Sequence, residues 1–432
     1  MTVRGIWAGA VALTFALAAP GWGEQPPPAG TQVAQQERGD LSVRVGVPDP
    51  SGNQAIFGLP LDAKGIQPVW VEIENRGDQD VIYAPIATDP DYYSPYEVSW
   101  RFHDALRPEA DAARDALFAS SGIPLVVPPR SRVSGYVFTH RETGLKFVTI
   151  TLGRADEEED FRFILPVAGP KLAVEQVDFG RIYPPDAIRE VDLAGLRAAI
   201  EALPCCGANE DGTGKADPLN LVIVGDGLSV VFPLVERGWR FVQPLDLRSA
   251  AVSTEDFFLD GNDPELPVSP MWVFGRREDA ALEKPRDTIS RRNHLRLWLT
   301  PLRYQGQSVF VGQISRDIGI EHTDKVWYLT THKIDPDVDL DRDYLLQDLL
   351  LSGAVDRFGW VGGVGVSAAP DPRVNLVGDP YLTDGRRLVV FLGQSRPRLL
   401  PLDAVPGLNM FVLYFALPCM LYRFGSATPA AQ

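Results

Sequence analysis

Three of the five histidines, His294, His322 and His332, lie in the second half of the chain. An imidazole titrates near neutrality (~6.5), so it can take and return a proton at physiological pH. In Arg292-Asn293-His294-Leu295-Arg296-Leu297-Trp298 polar and apolar residues alternate as in a strand. Period two puts His294, Arg296 and Trp298 on one face and Leu295, Leu297 and Leu299 on the other. A second strand-like run, Ser308 to Ile320, carries Arg316 and Asp317 near its end. Neighbours in a strand point to opposite faces, so only one of that pair can meet His294. A third run, Val326 to His332, is followed closely by Asp335. These residue types point to acid–base work on an anionic or phosphorylated compound. His294 or His332 would be the base, Asp317 or Asp335 would orient it, and Arg296 or Arg316 would grip a negative group with a fork of donors.

The acidic alternation Asp335-Pro336-Asp337-Val338-Asp339-Leu340-Asp341-Arg342-Asp343 invites a second chemistry. An EF-hand needs Gly at position six and Glu at position twelve, where this run has Leu340 and Leu346. A looser divalent site from His332, Asp335 and Asp337 stays open. The competing reading is capping, because carboxylates at a helix start accept its free N–H groups and suit its positive end.

Other signatures fail on spacing. The loop Cys205 to Pro218 ends near Gly214-Lys215, but Asn209 stands where a P-loop needs Gly, and Ser/Thr is missing after Lys215. Gly225-Asp226-Gly227 follows an apolar strand but lacks the third Gly of a dinucleotide fingerprint. Ser315-Arg316 with His322 matches part of a lipid-phosphatase motif, but the acid due at Val326 is absent. There is no Gly-x-Ser-x-Gly elbow, so nucleophilic hydrolysis is not indicated. The cofactor requirement is left unknown.

The elements that must position these groups fall into two regions. Residues 40–168 read as an all-β domain of about seven short strands, an immunoglobulin-like sandwich. Its strands include Leu41 to Val45, Val69 to Glu74, Val81 to Ile86, Tyr96 to Phe102, Ser134 to Thr139, Phe147 to Leu152 and Phe161 to Val167, with one helix at Pro108 to Phe118. Its aromatic run Tyr92-Tyr93-Ser94-Pro95-Tyr96 suits core packing, with a sugar or partner contact as the alternative. Residues 169–191 are a connector, and 192–432 an α+β domain with a mainly antiparallel sheet. Within it, Asp192 caps a helix from Leu193 to Leu203, a buried strand spans Leu219 to Val224, and helices follow over Leu228 to Arg237 and Asp339 to Leu351.

The first 23 residues read as a cleaved export signal: Arg4, then an uncharged apolar run from Ile6 to Ala19, then Gly21-Trp22-Gly23. Residues 24–39 read as a disordered linker. The expected location is exported, periplasmic or secreted. A net charge of −16 argues against nucleic acid, which needs a basic face. Partners expected instead are an envelope protein or a small anionic ligand. Cys205, Cys206 and Cys419 leave one thiol over; adjacent cysteines rarely bridge, so either the residues simply pack or one long-range disulfide forms. The apolar stretch 408–422 is short for a membrane span and reads as a packed strand, with membrane association as the alternative.

Several separated motifs, in order, carry a family likeness: Pro218-Leu219-Asn220-Leu221-Val222-Ile223-Val224-Gly225; the run Arg292 to Trp298; Gly312 with Ser315-Arg316-Asp317-Ile318-Gly319; and His332-Lys333-Ile334-Asp335-Pro336-Asp337-Val338-Asp339 with Arg342-Asp343-Tyr344. Together they resemble the LssY C-terminal domain family over roughly residues 190–395. The resemblance brings no established activity. In relatives the domain is often fused to membrane-embedded, lipid-phosphatase-like segments, which implies a role beside such an enzyme. The leading expectation is a binding or scaffolding protein, and the alternative is a metal-assisted or acid–base hydrolase using the His294/His332 cluster.

Overall fold

A computed structural model describes residues 25–104, 106–154, 157–242, 270–288, 291–322 and 330–393, without the side chains of 287–288, 320–322 and 330–332. The segment 1–23, Cys419 and the stretch 408–422 lie outside the described residues. Strand dominates, in several antiparallel sheets. Among the described residues no helix is long and apolar enough to cross a membrane.

The chain divides into two units. Among the described residues, the first holds Gln25–Tyr83 together with Asp91–Thr139, and the second holds Ala84–Pro90 and His140–Gly393.

In the first unit the elements are β1 (Val33–Arg38), β2 (Leu41–Gly46), α1 (Pro50–Phe57), β3 (Ile66–Asn75), β4 (Val81–Ala84), α2 (Pro95–Trp100), α3 (Pro108–Ser121), β5 (Val126–Val127) and β6 (Ser131–His140). One sheet runs β1-β2-β3-β6. Val43 and Val45 of β2 pair with Ile73 and Val71 of β3 and are fully buried, as the alternation requires. An aromatic cluster closes the core, where Phe57 of α1 stacks on Phe118 of α3 at 5.1 Å and meets Tyr136 and Phe138 of β6 edge-on at 5.1 and 5.6 Å.

Two expectations are corrected here. The linker assigned to 24–39 contains β1, paired in register from Val33↔Gly46 to Arg38↔Leu41. Gly39 takes φ +55° in the two-residue turn, and main-chain pairing orders a segment whose side chains are mostly polar. Tyr96 to Phe102, read as a strand, opens instead as helix α2. Ser94 is the N-cap and accepts the Glu97 N–H at 3.1 Å, while Pro95 sits at N1 with its φ already helical. The same local chemistry starts α1, where Asp49 Oδ1 accepts the Gly52 N–H at 2.7 Å ahead of Pro50.

The second unit continues with β7 (Leu145–Gly153), β8 (Glu158–Pro166), β9 (Arg189–Val191), α4 (Leu193–Glu201), β10 (Cys206–Ala208), β11 (Lys215–Pro218), β12 (Leu221–Val224), α5 (Gly227–Glu236), β13 (Arg240–Phe241), β14 (Trp272–Val273), β15 (Arg276–Arg277), β16 (Ala280–Thr288), β17 (Arg291–Tyr304), β18 (Gln307–His322), β19 (Thr330–Ile334), α6 (Val338–Leu351), β20 (Val355–Val361), β21 (Arg373–Val374), β22 (Pro380–Tyr381) and β23 (Arg387–Leu392). Strands β7 and β8, assigned from sequence to the front domain, belong to this unit. Phe147 of β7 stacks on Phe241 at 5.5 Å and meets Phe232 of α5 edge-on at 5.9 Å.

The main sheet runs β13-β16-β17-β18-β12-β23-β20, with β19 added to β18 and β9 to β17. Its pairings are antiparallel apart from β12–β23 and β9–β17, so the rear unit is α+β with a mainly antiparallel sheet. One face carries Leu282, Leu295, Leu297, Ile314 and Leu388, packed with α5 and α6. The other carries Val222, Val224, Trp298, Val309 and Val311, packed with α4 and the small sheet β11-β10-β14-β15.

Cys205 and Cys206 are bridged to each other. Cys205 lies in the bend before β10 and Cys206 opens that strand, so the pair is not held to opposite faces of one continuous strand.

Candidate functional site

The α4 face of the main sheet changes character along its strands. On β17 it passes from Trp298 to Arg296, His294 and Arg292; on β18 from Val311 to Gln313, Ser315 and Asp317; on β16 from Ala281 to Glu283. The registers set these residues side by side: Arg296 opposite Gln313, His294 opposite Ser315, and Glu283 opposite His294.

The result is a buried polar cluster. His294 Nε2 lies 2.7 Å from Asp317 Oδ2. Arg292 reaches the same oxygen at 3.8 Å and pairs directly with Glu283 through Nη1 and Oε2. Arg296 Nη1 donates to Gln313 Oε1 at 2.7 Å. Gln313 Nε2 in turn meets Asp217 Oδ2 at 3.5 Å, and Asn375 Nδ2 donates to Asp217 Oδ1 at 2.8 Å. Asp379 ends the chain: it pairs with Lys333, and its N–H donates to Asn375 Oδ1 at 2.9 Å.

Burying charge is costly, with a penalty of several kcal/mol per ion, and is offset only by close opposite partners. Burial, and after it the nearby Arg292 and Arg296 guanidinium groups, hold the His294 imidazole well below its ordinary value, so it stays neutral at pH 7. Burial pushes the Glu283 carboxyl up to about 7, against the pull of Arg292. Asp217 is also raised, chiefly by burial.

The opposite face holds a second group of charges on α6. Arg316 lies there, with Nε donating to Asn293 Oδ1 at 3.3 Å and Nη2 to Asp341 Oδ1 at 3.2 Å. Burial pushes Asp341 up to about 7 as well. Of Arg316 and Asp317, then, the fold gives Asp317 to His294 and sends Arg316 away from it. Asp348 of α6 gathers Arg237, Lys284 and the Trp239 indole N–H at 2.7–2.9 Å.

The other residues singled out from sequence lie elsewhere. The His332 backbone is in β19 opposite Ile320, and its side chain is outside the described residues. Asp335 Oδ1 accepts the Asp337 N–H at 3.0 Å, and Asp337 caps α6 through the Asp339 N–H at 3.2 Å. Asp339 reaches Thr383 Oγ1 at 2.9 Å and the Asp384 N–H at 2.6 Å. The acidic run therefore starts a helix and fastens the loop before β23. Among the described residues no group of three or more His, Cys, Asp or Glu side chains is arranged to hold a metal ion.

Glu283, Arg292, Gln313, Asp217 and Asn375 complete the cluster and were not picked out as site residues from sequence. Glu283 could have been: in Ala281-Leu282-Glu283, period two places it on the face opposite Leu282.

The cluster sets a pH dependence. Glu283 and Asp341 keep their protons in the fold up to about pH 7, but release them near 4.5 and 3.8 once unfolded. Each therefore stabilises the fold at low pH, and that contribution is lost as pH rises to about 7. His294 acts in the opposite sense, because below 6.5 the unfolded imidazole takes up a proton that the folded one does not. Thermal unfolding at pH 5 and pH 8, at one ionic strength, separates these contributions. In Glu283→Gln and Asp341→Asn the change in Tm from pH 5 to pH 8 should be less negative than in wild type; in His294→Gln it should be more negative. Unchanged differences would remove the buried acids from the account.

No curated protein matches the chain. Residues 199–386 match the family model described as the LssY C-terminus, and the cluster from Asp217 to Asp379 lies wholly inside that match.

Proposed function

We propose that the protein is an exported envelope protein, periplasmic or secreted, that acts by binding or scaffolding. The reading rests on how closed the His294 cluster is. His294, Arg296 and Asp317 are only 4%, 6% and 3% exposed, and they sit within a network of mutual contacts. A general base must come within hydrogen-bond reach of its substrate, directly or through one water. Here the imidazole is neutral, buried and set against Asp317. The front unit, built on the sheet β1-β2-β3-β6, is read as an immunoglobulin-like β domain that presents the contact surface. The acidic net charge supports a partner other than nucleic acid, either an envelope protein or a small anionic ligand. The stretch 408–422 is read as packed rather than membrane-bound.

One observation favours the hydrolase alternative. His294 and Asp317 approach at 2.7 Å with Arg292 and Arg296 beside them, groups that would suit a phosphate if that face opened. Assaying the mature protein with p-nitrophenyl phosphate and bis-p-nitrophenyl phosphate, and measuring Tm with and without EDTA, tests the choice. The binding reading expects no turnover and a Tm that ignores the chelator. Turnover abolished in His294→Gln, or a Tm lowered by EDTA, would overturn it.

A further inference from the structure

Helix α2 buries Val98 and Ser99 while exposing two large rings, Tyr96 at 56% and Trp100 at 61%. They are one helical turn apart, and their centroids lie 6.2 Å from each other with planes tilted by 34°. The His103 ring supports the indole from 4.6 Å and meets Tyr96 edge-on at 6.2 Å. That imidazole is itself fixed, with Nε2 2.8 Å from Asp115 Oδ1, which also accepts the Ser99 hydroxyl. The rings thus form a platform held from beneath, ahead of any ligand. Glu97 and Arg101 of the same helix, both partly exposed, pair at 3.3 Å, and the Arg101 guanidinium lies over the Tyr93 ring at 4.3 Å.

We infer that this platform binds a neutral pyranose chain, its rings stacking on the sugar's C–H faces while the rim meets the hydroxyl groups. At these exposures the two rings offer about 200–300 Å² of contact. That is less than the ~800 Å² per partner of a stable protein interface. It suits a small flat ligand, and rings already fixed lose little freedom on binding. A dry protein hot spot would need a partner pocket around the rings; a sugar needs flat faces, which Tyr96 and Trp100 present, and hydrogen-bonding groups, which Glu97 and Arg101 of the same helix supply. The inference deepens the binding reading above and rests on it.

Calorimetric titration of the full mature chain with cellotetraose and with tetra-N-acetylchitotetraose tests it. Saturable binding of at least one is expected, weakened about tenfold or more in Trp100→Ala, a loss of about 1.4 kcal/mol. Trp100→Phe should retain part of the affinity, which separates stacking from misfolding. Neither sugar binding the wild type, or Trp100→Ala binding as wild type does, would overturn the inference. So would a wild-type dimer that Trp100→Ala dissociates, since the platform would then be covered by a second copy. Failure here without phosphate turnover leaves the binding reading standing, and EDTA-sensitive turnover defeats that reading without touching the sugar titration.

Discussion

Arg387→Met should cost the rear unit about 4 kcal/mol or more, among the largest single losses open to this chain. Arg387 is fully buried, and its partners are backbone carbonyls rather than acids. It donates to Leu219 O at 2.9 Å, Ile200 O at 2.7 Å, Leu203 O at 3.1 Å and Pro204 O, with Gly363 O at 3.5 Å. Ile200, Leu203 and Pro204 lie at and just beyond the end of α4, where carbonyls have no donor within the helix. A cation there also suits the negative end of the helix. Burial lowers the guanidinium to about 10, so it remains charged at pH 7. Methionine fills similar space but leaves the carbonyls without donors, at about 1–3 kcal/mol for each one that water cannot reach. Arg387→Lys should recover less than half the loss, because one ammonium cannot span carbonyls on three segments. Urea unfolding followed on the buried Trp239 and Trp298 measures the effect. A loss below about 1 kcal/mol would show that these carbonyls find other donors.

Arg292→Met carries the second large expected effect, about 3–5 kcal/mol at pH 8, where Glu283 is ionised and loses the guanidinium that compensates it. Arg292 is 2% exposed and lies between Glu283 and Asp317. Removing Glu283 as well, in Arg292→Met/Glu283→Leu, should return part of the stability, so the double loss falls short of the two single losses summed. A coupling of about 2 kcal/mol or more is expected for neighbours of this kind. Strict additivity would mean that the two side chains act independently.

The sequence made the alternating strands and helix starts legible where local chemistry decides them. The run through His294 showed its two faces, and strand alternation reduced Arg316 and Asp317 to a single partner for that imidazole. Asp192 announced its helix, the capping reading of the acidic run holds at Asp337, and the separated motifs resembled the family whose model matches residues 199–386. The rest depends on pairings made at a distance. Strand β16 is not among the strands read from sequence; it forms because β17 supplies its ladder, with the register shifting beyond Pro285. Arg387 opens an apolar strand and looks like an ordinary edge charge, yet several of its partners lie more than 180 residues earlier. Asp217 lies in the short strand β11, within a run read from sequence as a loop, with no local sign that Asn375 will reach it. Tyr96 to Phe102 reads as a strand in sequence, and the Ser94-Pro95 helix start prevails.

The boundary between the units is crossed three times, after Tyr83, after Pro90 and after Thr139. No single cut in the backbone therefore releases two whole units. A fragment stopping at residue 168 would carry β7 and β8 away from Phe232 and Phe241, leaving Phe147 without its aromatic neighbours. A fragment starting at residue 192 would have the complementary fault. Excising either half cleanly requires joining segments that translation keeps apart, so the two halves are inherited, and lost, as one interleaved piece.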